Sequence, residues 1–381
     1  MAFTASNLLE LAAMKYLRAI FFSIAISFVS CHAIAQNHNE VIGKVLYISS
    51  SVNISGENFI YSEVKIINKS KLPISIFSAN VKTKTDKYLY NKSNEQLEKL
   101  SSINSRDLPV GDSCIFYFDI PHKQLENGEP LLFVFDYNDS LGKTLKLTLV
   151  ATFSAQKPTV LAAPLNGKNW VAIYNSEWQR GHRRVYYTVE GQSRIPGRFA
   201  IDFVKLDDEG KLCRQQPEVV TNYYSYDEDV LAVEDGTVVS LRNDFKESKT
   251  ISGNQSHTEN DASGNYLILE IGYDLYACYE HLKPGSIPFK VGDKVNRGDV
   301  IAKVGFTGDA SEPHLHFHVA DKNSVLGAEG LPFVFKQFSY EGIYDDFSSF
   351  GKQRWKSLNK TEIRRFLPSR PLQNSVINFP N

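Results

Sequence analysis

The chain has 381 residues, 42% of them hydrophobic and 22% charged, with a formal net charge of -1. That length suits two or three domains of about 100–200 residues each, and near-neutrality leaves no electrostatic footprint for nucleic acid or an anionic membrane. Nineteen tyrosines and 24 phenylalanines favour β-rich structure.

Residues 1–35 read as a signal peptide. Lys15 and Arg18 precede the apolar run Ala19-Ile20-Phe21-Phe22-Ser23-Ile24-Ala25-Ile26-Ser27-Phe28-Val29, and Ala33-Ile34-Ala35 provides small residues for cleavage. The run falls short of the about 20 residues of a comfortable membrane span. The expectation is export, to the periplasm or beyond, with membrane contact through this segment alone. An uncleaved anchor and a lipidated Cys31 are the alternatives. Cleavage leaves Cys114, Cys213 and Cys278, an odd and sparse count that argues against a disulfide framework. Cys213 and Cys278 could still pair.

From 36 to 157 the chain alternates apolar and polar residues in short runs, for example at 41–48, 59–67, 114–120, 131–135 and 145–150. Such a series, with a short helix near 94–100, predicts an immunoglobulin-like β-sandwich. No ionisable cluster stands out in it, so a spacer or a protein-partner module is the expected role. Gln156-Lys157-Pro158 and the following proline and glycine mark a boundary. A second β-rich domain is predicted over 168–340. The tail at 341–381 reads as a strap, with a helix near 360–366.

The second domain carries the chemistry-bearing residues. Pro313-His314-Leu315-His316-Phe317-His318-Val319 alternates as a strand, placing three imidazoles on one face and the apolar residues on a core. Adjacent imidazoles suit a metal; a solvated polar face is the competing reading. Asp202, in Ala200-Ile201-Asp202-Phe203-Val204, sits among apolar neighbours, where a carboxylate needs a cation, a metal or hydrogen bonds. His281 ends the strand-like run Leu275-Tyr276-Ala277-Cys278-Tyr279-Glu280, beside the turn signal Lys283-Pro284-Gly285. Two segments, 229–239 and 291–302, carry Asp-Gly or Gly-Asp between short valine-rich runs, as tight hairpins require. The second resembles hairpins of biotinyl and lipoyl carriers, but the Met-Lys-Met context of those carriers is absent.

Taken in order, Asp202, Ala232 with Asp235-Gly236-Thr237-Val238-Val239, Gly264-Asn265-Tyr266, Tyr276 with His281-Leu282, Val291-Gly292-Asp293, Gly298-Asp299-Val300-Ile301-Ala302, Gly305-Phe306-Thr307-Gly308 and Pro313-His314-Leu315-His316-Phe317 form a pattern. Over about 170–335 it resembles the lysostaphin/LytM-type zinc metallopeptidases. That resemblance implies an all-β chain in which the sandwich precedes a lysostaphin-type, duplicated-hybrid-motif-like peptidase domain. It implies Zn²⁺ held by Asp202 and His316, with His281 and His314 as the catalytic pair. It also implies peptide bonds of peptidoglycan stems or cross-links as substrate.

One position departs from the family. Its first ligand stands four residues before the aspartate, where this chain has Arg198, which cannot donate a lone pair. Either the metal site is broken, or His182 in Gly181-His182-Arg183-Arg184 replaces the ligand, returned towards Asp202 by a hairpin between about 183 and 198. The first alternative implies a catalytically inactive wall-binding or hydrolase-activating module. His257 reads as a solvated loop residue. His318, at a position commonly glutamate in the family, is given no ligand role.

Overall fold

A computed structural model describes residues 41–123, 125, 128–154, 156–358 and 368–380. The signal peptide and the helix expected near 360–366 lie outside them. The described chain is almost entirely β, as expected, and among its residues no helix is long and apolar enough to cross a membrane.

The N-terminal part consists of two antiparallel sheets. One contains Val41–Ile48, Val52–Ile54, Glu57–Asn68 and Ser113–His122; the other contains Ile74–Thr83, Tyr88–Ser93, Asp107–Leu108, Pro130–Asp139 and Thr144–Thr152. Alternation explains how they meet. Phe116 and Phe118 point inward from one sheet and pack on Phe133 and Phe135 of the other, with ring centroids 5.4–6.0 Å apart. An immunoglobulin-type topology is not confirmed. Glu95–Leu100 forms the short helix, burying Leu97 and Leu100.

A ten-stranded antiparallel sheet organises the remainder. Its order is Lys294–Val295, Gly236–Arg242, Tyr266–Gly272, Leu275–Glu280, Leu315–Ala320, Ile201–Lys205, Gly167–Ile173, Ser375–Phe379, Ser339–Ile343 and Lys356–Ser357. Leu315–Ala320 is therefore flanked by the strand that ends just before His281 and by the strand that carries Asp202. Leu315, Phe317 and Val319 face a core that contains Trp170, Phe203, Phe333 and Phe335. Val52, Ile54 and Tyr61 of the N-terminal sheets join the same cluster.

Two expectations need correction. The segments at 229–239 and 291–302 are not hairpins closed on themselves. They pair crosswise: Asp229–Leu231 with Val300–Lys303, and Gly236 and Thr237 with Val295 and Lys294. A turn signal fixes where the chain reverses, but the partner was chosen by burial, since Val230, Val233, Ile301 and Ala302 share one core. Nor is the histidine face solvated. His314, His316 and His318 are only 6%, 8% and 1% exposed, because both faces of this central strand are covered. Cys114, Cys213 and Cys278 are all free, so Cys213 and Cys278 do not pair.

Candidate metal centre

Strand register brings the first two groups together. Asp202 lies directly opposite His316 across the antiparallel pair of Ile201–Lys205 and Leu315–Ala320. Neighbouring residues on paired strands share a face, and Nδ1 of His316 sits 2.9 Å from Oδ1 of Asp202.

His182 arrives from outside the sheet. It begins a single 3-10 turn, His182–Arg184, after which Tyr187–Val189 and Gln192–Arg194 form an antiparallel hairpin. The hairpin and the turn Pro196–Phe199 bring the chain back into the Asp202 strand. Gly197 lies against the turn: a Cβ there would stand 3.3 Å from Cβ of His182. Nε2 of His182 ends 3.0 Å from Oδ2 of Asp202, and its ring centroid is 4.7 Å from that of His316.

These three residues each offer a donor atom within 4.8 Å of the others. In tetrahedral zinc sites, bonds of about 2.0–2.2 Å place donors roughly 3.3 Å apart. The pairs at 3.0 and 2.9 Å need open by only a few tenths of an ångström. Two imidazoles with one carboxylate are also a donor set that leaves a coordination position free. The residues fit zinc. Burial alone would raise the Asp202 pKa; the His182 and His314 rings, with hydrogen bonds from His182 and His316, outweigh it and hold the carboxyl well below the usual carboxylate range.

Two further imidazoles stand beside this set. His281 follows Leu275–Glu280 with φ +62°, in the left-handed region that is costly for a residue with a Cβ. Its Nδ1 is 2.8 Å from the carbonyl of Thr307, and Nδ1 of His314 is 2.7 Å from the carbonyl of Glu312. A carbonyl only accepts, so both Nδ1 atoms carry a proton, and Nε2 is the atom at which each ring can exchange one. The two ring centroids are 4.6 Å apart, and Nε2 of His314 is 3.6 Å from Oδ1 of Asp202. Burial, then the neighbouring His314 and His316 rings, pushes the His281 pKa well below its ordinary value, which keeps the ring neutral.

Thr307 is held in turn by its hydroxyl, which accepts from the backbone N–H of Asn265 at 2.9 Å and donates to the carbonyl of Leu282 at 2.9 Å. Gly308, at φ +71°, lets the chain pass where a Cβ would lie 2.1 Å from the carbonyl of Ala262.

Behind His316, its Nε2 is 3.2 Å from Nδ1 of His318, and Oε1 of Glu280 is 3.8 Å from that same nitrogen. This contact gives the His316 ring an outward hydrogen bond on the side away from Asp202, of the kind that orients a ligating imidazole. Glu280, His316 and His318 form a second cluster of possible donors; it shares His316 and supports the first set from behind. The sequence reading missed Glu280. Its signal was an acid inside an apolar strand, which the register places opposite His316. His257 lies apart, on Asp309 at the surface.

A cleft of about 640 Å³ runs between the N-terminal sheets and the part built on the ten-stranded sheet, lined by Tyr61, Asp119, Tyr174, Arg183 and Phe199 among others. It touches the donor set only at His182, and neither His281 nor His314 lines it.

Peptidase family M23 matches residues 220–326, a span that includes His281, His314 and His316 and stops short of His182 and Asp202. An uncharacterized metalloprotease of Buchnera aphidicola subsp. Baizongia pistaciae is 36% identical over 69 residues, covering 18% of this chain and 18% of that protein. The peptidoglycan DD-endopeptidase ShyB of Vibrio cholerae is 41% identical over 66 residues, covering 17% of this chain and 15% of its own length. The chain thus spans less than a fifth of each of these curated relatives. Among solved structures, a zinc-containing peptidase from Vibrio cholerae aligns over 71% of this chain and 81% of its own, at 16% identity and a TM-score of 0.26. The catalytic domain of lysostaphin from Staphylococcus simulans aligns over 43% and 84%, at 20% identity and a TM-score of 0.22. With TM-scores this low, neither likeness bears on the site. The strands, the clustered histidines and the family match lead to one conclusion: residues 220–326 form a domain of peptidase family M23.

Proposed function

We propose that the protein is an exported, zinc-dependent endopeptidase that hydrolyses peptide bonds of bacterial peptidoglycan. His182, Asp202 and His316 hold the metal, and His281 and His314 move the proton. The observation that carries this reading is the juxtaposition of a three-donor set with two imidazoles, each tied to a backbone carbonyl at Nδ1. The peptidoglycan substrate rests on the family match and on the name of the Vibrio relative. Export rests on the N-terminal sequence.

Zinc bound there supplies Lewis acidity that polarises a peptide carbonyl and lowers the pKa of a water towards about 7. The chain's own residues do the rest. Asp202 remains ionised between the two flanking imidazoles, which keeps its oxygens available as donors. His281 and His314, locked by carbonyls at Nδ1, can each take a proton only at Nε2. The ring that has taken the proton of the attacking water becomes a donor, and passes that proton to the amide nitrogen that leaves.

Arg198, which motivated the inactive-module alternative, is engaged elsewhere. Its guanidinium is buried between Glu63 and Glu329, while His182 occupies the place beside Asp202. Incubating the purified protein with peptidoglycan, and reading released muropeptides by mass spectrometry, tests the proposal. Products that disappear with a chelator and return with zinc are expected. Intact peptidoglycan from a zinc-loaded protein would refute it.

A further inference from the structure

Asp202 and His316 are fixed by the sheet, but His182 is not. It comes from a 3-10 turn outside the sheet and borders the cleft on one side. The two residues after it supply the anchorage, and both reach into the N-terminal sheets. Arg183 donates from Nε to Oε1 of Glu63 at 2.9 Å, from Nη1 to Asp119, and from Nη2 to the carbonyls of Ser62 and Phe118 at 3.1 and 3.0 Å. Arg184 donates to the carbonyls of Lys99 and Ser101, at the end of the short helix.

The second oxygen of Glu63 binds the far end of the same excursion. Oε2 accepts from Nε of Arg198 at 3.1 Å, and the Arg198 guanidinium lies 3.7 Å from the centroid of the Tyr47 ring. One buried carboxylate, 2% exposed, therefore clamps residue 183, next to His182, and residue 198, just before the strand of Asp202. Removing its charge leaves two buried guanidinium groups with one neutralising partner fewer, and the turn bearing Arg183 must move to rehydrate it.

We propose that Glu63 is a positioning residue for the metal centre, so that the N-terminal sheets hold His182 in place and metal affinity is a joint property of both parts of the chain. This rests on the zinc reading given above. Glu63 touches neither metal nor substrate; it acts through Arg183 and Arg198.

The test uses the full chain and reads metal directly. Zinc affinity is measured by competition with a chromophoric chelator, and the cobalt(II)-loaded protein is recorded in the visible range, where band position and intensity report ligand geometry. For Glu63→Gln, about 10–100-fold weaker zinc binding and a changed cobalt spectrum are expected, with wild-type circular dichroism. Glu63→Asp keeps the charge and should fall between Glu63→Gln and wild type. Ile74→Val, which trims the N-terminal core at the end where Ile74 pairs with Asp139 and Leu108, should leave both readouts unchanged. Should Glu63→Gln fail to fold, Glu63→Asp decides: its shorter arm must still weaken zinc binding and alter the cobalt bands. Affinity within about twofold of wild type and an unaltered spectrum in the folded variant would overturn this inference alone. A wild-type chain that takes up neither metal would overturn the zinc reading, and this inference with it.

Discussion

Thr307→Val is the substitution whose consequence can be worked out most fully. It preserves shape and removes one hydroxyl that is fully buried. That hydroxyl accepts from the N–H of Asn265 and donates to the carbonyl of Leu282. The two losses are unequal. Leu282 keeps the Nδ2 of Asn265 at 3.2 Å, so its side of the loss is a net hydrogen bond of about 0.5–1.5 kcal/mol. The Asn265 N–H is left buried without its acceptor, at about 1–3 kcal/mol. A destabilisation of about 1.5–4.5 kcal/mol follows, with Thr307→Ser recovering most of it. The effect should extend to turnover, since the Thr307 carbonyl orients His281, and small displacements of a catalytic group cost up to about 100-fold in rate. Denaturant unfolding, together with muropeptide release by all three proteins, makes the comparison. A Thr307→Val protein within about 0.5 kcal/mol of wild type, with unchanged turnover, would refute the reasoning.

Other outcomes follow from the same geometry. His182→Ala and His316→Ala should each lose bound zinc, measured as metal per chain by atomic emission after dialysis; full retention in either would exclude that residue as a ligand. Gly197→Ala places a Cβ against His182, and should weaken zinc binding about 10-fold while leaving the fold intact; chelator competition would show an unchanged affinity if the contact is slack. Phe317→Ala removes a fully buried ring from the central strand, and should cost about 3–5 kcal/mol in denaturant unfolding. A loss below about 1 kcal/mol would mean that the core under the site collapses to fill the space.

The parts of the site legible in the sequence are those whose signal is local. The alternation around His314 and His316, the acid among apolar residues at 202, and the histidine at a strand end at 281 each need fewer than ten residues to read. The structure places all three beside one another, and the hairpin after His182 brings the chain back as its length allowed. What was not legible depends on distant partners. Glu63 meets Arg183 and Arg198 at separations of 120 and 135 residues, and no periodicity announces such a pairing. The crosswise pairing of 229–239 with 291–302 failed to show for the same reason: both segments carried turn residues, and the shared core selected the partners. Burial of His318 escaped because an alternating strand reads as half-solvated until both of its faces are known to be covered.

The position of Ser375–Phe379 in the large sheet bears on how the centre is assembled. This strand lies between Gly167–Ile173 and Ser339–Ile343, and Gly167–Ile173 is the other neighbour of the Asp202 strand. The strand beside that of Asp202 is therefore completed by sequence some two hundred positions downstream of itself, as in the pairing of Val171 with Val376. Loops of that length must close before their contacts reward the closure, so folding of this kind is slow. Until residues 375–379 are available, Gly167–Ile173 presents an unpaired edge, and the metal centre rests on an unfinished sheet. The strand that carries Asp202 thus gains its full support late, after nearly all of the chain is available.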